Sequence, residues 1–231
     1  MINEKCFTVE WLESFKKQRK HRLIQTNILE KMIYALHLLE QIKNNGLEFV
    51  FKGGTSLVLL LDEENRFSID IDIICKIERK ELEAILEKVI ESSKFISVTL
   101  NKPRSYKPGV PKAHYSFAFN SVFNTKVPGN ILLDILIEDP IYPELVESPI
   151  QTKWIEIDDE VIVMTPSIDA ITGDKLTAFA PNTIGIPYYK GDNIFTMEIC
   201  KQLFDLSRLF EKYFRFRSCF RKFYAPCKTR N

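Results

Sequence analysis

One stretch limits this chain more than any other: Lys52-Gly53-Gly54-Thr55-Ser56-Leu57, followed shortly by Arg66-Phe67-Ser68-Ile69-Asp70-Ile71-Asp72. Gly-Gly between apolar runs marks a tight turn. It also lets the backbone approach a phosphate, because no Cβ stands in the way. Asp-x-Asp on a strand points both carboxylates to one side, since strand side chains alternate. Two such carboxylates repel each other unless a cation lies between them. A hard divalent ion such as Mg²⁺ suits, because it takes oxygen ligands and shares them with substrate phosphates. A phosphate cradle beside metal ligands is the minimum equipment for nucleotidyl transfer.

The rest of the chain limits the setting. Its 231 residues, 45% of them apolar, suffice for one larger domain or two small ones with a real core. The formal net charge is +1, so bulk charge selects no nucleic acid, membrane or acidic partner. Five cysteines in no paired pattern argue against a disulfide scaffold and fit a reducing, cytoplasmic setting. With three histidines there is no zinc spacing. Met1 to Lys20 is polar and reads as no signal peptide, and no apolar run reaches the roughly 18 residues of a membrane span.

The patterning predicts an α+β domain over residues 1–164, with an N-terminal helix, and a helical region over 165–231. Helical spacing runs from about Thr8 to Asn45, where Asn44-Asn45-Gly46 signals a C-cap. Short strands are expected at Leu47–Lys52, Phe67–Cys75, Ile96–Lys102, Ala113–Asn120, Ile131–Glu138 and Val161–Met164. Helices are expected from Thr55 to Leu61, from Glu78 to Ser93, from Pro166 to Ala180 and from Thr196 to Tyr213. Pro103, Pro108, Gly109 and Pro111 mark a loop between two strands. The tail from Arg215 mixes aromatic and basic residues without clean periodicity. It reads as a truncated or poorly ordered end, with a basic-aromatic nucleic-acid surface as the other reading.

Several side chains are candidates for chemistry. Asp134 is the lone charge in Ile131-Leu132-Leu133-Asp134-Ile135-Leu136-Ile137, and an aspartate there needs a partner. Beside Asp70 and Asp72 it completes a three-carboxylate site that holds metal, or serves as a general base. The bland alternative is a solvated strand face with a paired core charge. Gly53, Gly54, Thr55 and Ser56 stand between a strand and a helix start, where backbone N–H groups face an anion. Arg66 and Ser68 anchor the approach to the second strand, with Arg66 equally suited to bracing a carboxylate. Lys175 offers a counter-charge for a triphosphate. Asp205 and Arg208, at i and i+3, share a helix face, which suits a surface ion pair as well as a cleft.

Taken together and in order, these motifs resemble the AbiEii/AbiGii-type nucleotidyltransferase toxins of the DNA polymerase β-like superfamily. The long first motif carries the resemblance, supported by Asp134, by Asp174-Lys175-Leu176 and by Asp205-Leu206-Ser207-Arg208-Leu209. It covers roughly residues 20 to 212 and departs at the C-terminal end. The resemblance implies a minimal nucleotidyltransferase fold, a mixed sheet flanked by helices, with a helical C-terminal part. It implies transfer of a nucleoside monophosphate from an NTP to an acceptor, with Mg²⁺ (or Mn²⁺) as cofactor and pyrophosphate as leaving group. Asp70, Asp72 and Asp134 would bind metal. Gly53, Gly54, Thr55, Ser56, Arg66, Ser68, Lys175, Asp205 and Arg208 would surround the nucleotide. The implied acceptor is RNA such as tRNA, and the implied setting is a bacterial toxin–antitoxin or phage-defence pair. Its cognate antitoxin would be encoded alongside or act without stable contact. A nucleotide-binding scaffold without turnover and an antibiotic-type small-molecule transferase stay open, as does the identity of the NTP.

Overall fold

The computed structural model describes residues 1–17, 21, 23–61, 66–105, 111–181 and 183–215. Among them, those up to Ser167 form one compact unit and those from Ile168 onward a second. The tail beyond Arg215 lies outside the described residues.

The first unit is a seven-stranded sheet with helices. Its long helix does not start at Thr8. A 3-10 turn at Glu4–Phe7, helix α1 at Val9–Ser14 and a second turn at Phe15–Lys17 precede α2, Thr26–Asn44. Two causes explain the break. Lys16, Lys17, Arg19, Lys20 and Arg22 would stack like charges at i+3 and i+4 on a continuous helix. Phe15 instead joins Trp11 and Trp154 in an aromatic cluster, with ring centroids 5.6 and 5.1 Å away. Helix α2 ends as expected at Asn45, with Gly46 at φ 91°.

Strand β1 (Val50–Lys52) runs into helix α3 (Gly53–Leu60), and β2 spans Ile71–Ile74. Helix α4 (Arg79–Ser92), strand β3 (Phe95–Leu100), the one-turn helix α5 (Lys102–Ser105) and strands β4 (Lys112–Phe119) and β5 (Gly129–Leu136) follow. Strands β6 (Leu145–Pro149) and β7 (Ile162–Pro166) complete the unit. The order across the sheet is β3-β4-β5-β2-β1-β7-β6. It is mixed: β2 pairs antiparallel with β1 and parallel with β5, while β4 runs antiparallel to β5. Strand β2 is shorter than the Phe67–Cys75 expected, because β1 turns into α3 after Lys52 and offers no pairing partner to Asp70.

Alternation decides which face is covered. Phe51, Ile71, Ile73, Ala113, Tyr115, Phe117, Leu133 and Ile135 are all buried, at most 4% exposed. They belong to one core with α2 and α4 residues such as Leu36, Leu39, Leu82 and Val89. At roughly 25 cal/mol per Å² of apolar surface, this face is the main source of stability. Two buried carboxylates on α2 tie loops to it. Glu30 accepts from the Ser121 hydroxyl and the Val122 N–H at 2.7 Å each. Glu40 accepts from the Ile2 N–H at 2.8 Å and pairs with His37 Nδ1 at 3.3 Å.

The second unit contains α6 (Ile168–Phe179), a small hairpin of β8 (Tyr189–Lys190) and β9 (Asn193–Ile194), and α7 (Thr196–Arg215). Helices α6 and α7 pack on each other. Among the described residues no helix is long and apolar enough to cross a membrane.

Candidate active site

The residues that alternate with the buried ones lie on the other face of the sheet. Lys52 on β1 is the register partner of Asp72 on β2. Asp72 is the partner of Asp134 on β5, and Asp134 of His114 on β4. Register partners point to the same side of a sheet. Four adjacent strands therefore present a single row: Lys52, Asp72, Asp134, His114. All four are partly exposed.

Neighbouring strands lie about 4.8 Å apart, so the two aspartates are close. Two unit negative charges at about 5 Å and an effective dielectric near 20 repel by about 3 kcal/mol before solvent screening. The neighbours oppose that repulsion. His114 Nδ1 lies 2.5 Å from Asp134 Oδ1, and an Arg104 guanidinium nitrogen lies 3.4 Å from Oδ2. Because a carboxylate accepts, the His114 bond requires a proton on Nδ1.

The glycine turn has a different geometry from the one its sequence suggests. Gly53 and Gly54 are the first two residues of α3, and Gly53 has φ 78°. A Cβ built on Gly53 would stand 2.2 Å from Asp72 Oδ2. One built on Gly54 would stand 2.8 Å from an Arg66 guanidinium nitrogen and 3.3 Å from the Ser68 hydroxyl. The missing side chains thus make room for Asp72, Arg66 and Ser68. Asp72 is drawn to the positive end of α3, where a negative charge is favoured.

Thr55 and Ser56 are 0% exposed. The Thr55 hydroxyl donates to the Asp70 carbonyl at 2.5 Å and the Ser56 hydroxyl to the Gly53 carbonyl at 3.0 Å. Both hydroxyls shape the turn, whereas the expectation had them reaching a phosphate. What the turn offers an anion is the first-turn N–H groups of α3, which have no intrahelical acceptor. Asp70 is exposed and sits just before β2, with its backbone held by Thr55.

In the second unit, Lys175 on α6 is buried and its ammonium lies 2.8 Å from Asp205 on α7, also buried. Arg208 bonds Glu211 at 2.7 Å and lies over the Phe204 ring. Sequence spacing left Asp205 between a same-helix ion pair with Arg208 and a cleft role, and did not show the cross-helix bond to Lys175.

Among the described residues no group of three or more His, Cys, Asp or Glu is arranged to hold a metal ion as it stands. The donor chemistry nevertheless suits Mg²⁺: hard carboxylate oxygens on neighbouring strands, facing a helix start where substrate phosphates would supply further oxygens. His114, Arg104 and Lys52 are the residues that sequence reasoning missed. His114 had a signal, since it alternates with Ala113, Tyr115 and Phe117 along a strand of period two.

The family model described as Nucleotidyl transferase AbiEii toxin, Type IV TA system, matches residues 37–229. The chain belongs to this AbiEii family. The matched span contains every residue of the Lys52–His114 row. Two solved structures resemble this AbiEii member. One is an H. pylori protein provisionally described as a nucleotidyltransferase, with TM-score 0.43 and 22% identity, covering 64% of this chain and 59% of the other. The other is JHP933 from Helicobacter pylori, with TM-score 0.48 and 20% identity, covering 77% and 65%. The chain thus spans less than two thirds of the length of either. No curated protein matches it.

Proposed function

We propose that this AbiEii-family chain is a Mg²⁺-dependent nucleotidyltransferase that moves a nucleoside monophosphate from an NTP to an RNA acceptor, tRNA foremost. We assign it the role of toxin in a cytoplasmic toxin–antitoxin or phage-defence pair. The observation that carries the reading is the row across four strands, with Asp72 and Asp134 side by side and the start of α3 against Asp72.

In the proposed reaction an acceptor hydroxyl oxygen bonds to the α-phosphorus of the NTP. The bond from that phosphorus to the bridging oxygen breaks, pyrophosphate leaves, and the hydroxyl proton passes to a base or to water. Asp70, Asp72 and Asp134 would hold the ion, which supplies charge neutralisation and in-line geometry when bound. The α3 N–H groups orient the phosphates, with Arg66 and Ser68 packed behind Gly54. Lys52 contributes positive charge at one end of the row. Asp134, held by His114, would serve as a further ligand or as the base for the acceptor proton.

The test incubates the protein with each α-labelled NTP, Mg²⁺ and bulk tRNA. Label entering RNA from at least one NTP, lost in Asp72→Asn, is the expected result. Binding of NTP without pyrophosphate release would leave a scaffold instead. Transfer to small-molecule hydroxyls but not to RNA would overturn the acceptor assignment.

A further inference from the structure

We propose that His114 is a positioning residue: it holds Asp134 in the carboxylate row and keeps it from being captured by Arg104. The clamp concerns Asp134 geometry, and its catalytic consequence rests on the transferase reading above.

Asp134 is bonded on both oxygens, unequally. The His114 contact is short, 2.5 Å, and the ring is largely buried, with 13% of the side chain exposed. The Arg104 contact is single and long, 3.4 Å, from a side chain that is 52% exposed. Arginine and carboxylate prefer two parallel bonds of about 2.7–2.9 Å. That arrangement is not adopted here. The imidazole takes one oxygen, and the guanidinium reaches only the other.

The backbone around His114 makes the contest local. The His114 N–H donates to the Ser105 hydroxyl at 2.9 Å, and that hydroxyl donates to the Asn101 carbonyl at 2.7 Å. Asn101 N–H in turn donates to the His114 carbonyl at 2.8 Å. Helix α5, which carries Arg104, is therefore pinned to β4 at the residue whose ring restrains Asp134. Ala113 and Tyr115 bury the opposite face of the strand, so the pairing register keeps the His114 side chain on the same face as Asp134. Removing the imidazole leaves Arg104 close by and free to close on Asp134 with both nitrogens.

The experiment has two arms. Histidine-¹⁵N NMR of the unliganded protein reads the tautomer directly, and only His21, His37 and His114 contribute. His114→Asn assigns the signal. The expected result is a proton on His114 Nδ1, and its loss to Nε2 in Asp134→Asn. A His114 ring protonated on Nε2 alone overturns the proposal, whatever the activity. The second arm compares nucleotidyl transfer in variants. His114→Ala should lower kcat about 10- to 100-fold while KM for NTP moves by less than about twofold, the pattern of a lost transition-state contact. His114→Asn, whose amide nitrogen stands near the place of Nδ1, should recover most of the loss. His114→Ala/Arg104→Ala should exceed His114→Ala in kcat, because the competing guanidinium is gone. Equal losses in the Ala and Asn variants, or no recovery in the double variant, would overturn it. An Nδ1–H signal in a protein that transfers no nucleotide removes the transferase reading and keeps the clamp.

Discussion

The Asp72 carboxylate rests against the backbone of Gly53: a Cβ there would stand 2.2 Å from Oδ2, 2.9 Å from Cγ and 3.0 Å from the Asp72 Cβ. The close approach and the left-handed φ of 78° both call for glycine. Gly53→Ala should lose about 1–3 kcal/mol of stability from backbone strain. It should also lose activity beyond that, because Asp72 must move. Gly54→Ala meets only the ends of the Arg66 and Ser68 side chains, so its stability should fall less. Thermal melts of the two variants alongside label-transfer rates check this.

Neutralising the row should separate activity from stability. Asp72→Asn removes a charge that faces Asp134 across β2 and β5. Transfer should fall by several kcal/mol of transition-state stabilisation, at least about a hundredfold. The melting temperature should change little, since relief of the repulsion from Asp134 offsets the lost attraction to the start of α3. A melt that collapses together with the activity would argue for a purely structural carboxylate.

The buried Lys175–Asp205 pair should behave as a unit. Asp205→Ala takes the carboxylate away from the buried Lys175 ammonium and should cost about 3–5 kcal/mol, and Lys175→Ala should cost less than that. Lys175→Met with Asp205→Leu removes both charges and should recover most of that loss. Urea denaturation of the single and double variants gives the coupling energy.

Acid should reach Glu40 later than the ordinary glutamates. Burial pushes this carboxyl up, but the bonds from His37 and the Ile2 N–H, with nearby positive charge, outweigh it and hold it below the usual carboxylate value. A folded-state value below the unfolded one gives stability that is fully present above the unfolded carboxylate range and lost as pH falls through the folded value. Melting temperature should therefore drop through the acid range below that of ordinary glutamates. Glu40→Gln should flatten this limb of the curve while lowering stability at neutral pH.

How much of this was legible depends on the kind of signal. Helix α4 could be read because Leu82, Leu86 and Val89 recur on one face, and Asp134 because a lone charge in an apolar strand demands an explanation. Strand β6 was not, since it lies at the sheet edge, carries Glu147 and Ser148, and ends on Pro149. Helix α5 is one turn that contains Pro103, and the β8–β9 hairpin has two residues a side, too short for any period. Pairing register escaped entirely. Nothing local in β2 says that Asp72 faces Asp134, because β5 lies far along the chain, and the His114–Asp134 register is set by how β4 and β5 are connected rather than by either strand. The internal bonds of the Thr55 and Ser56 hydroxyls escaped for the same reason. A hydroxyl beside a glycine turn looks available until the carbonyls of Asp70 and Gly53 arrive to take it.

Strand β2 is four residues long and lies between β1, made before it, and β5, made long after. A strand so short holds its place only when both neighbours are present. Loop closure over that span must come before any of its pairing is gained. The two aspartates therefore cannot meet on a ribosome-bound chain that has not yet released Leu136. A fragment ending before β5 would lack the paired aspartates, and synthesis itself sets the earliest moment at which the row can form.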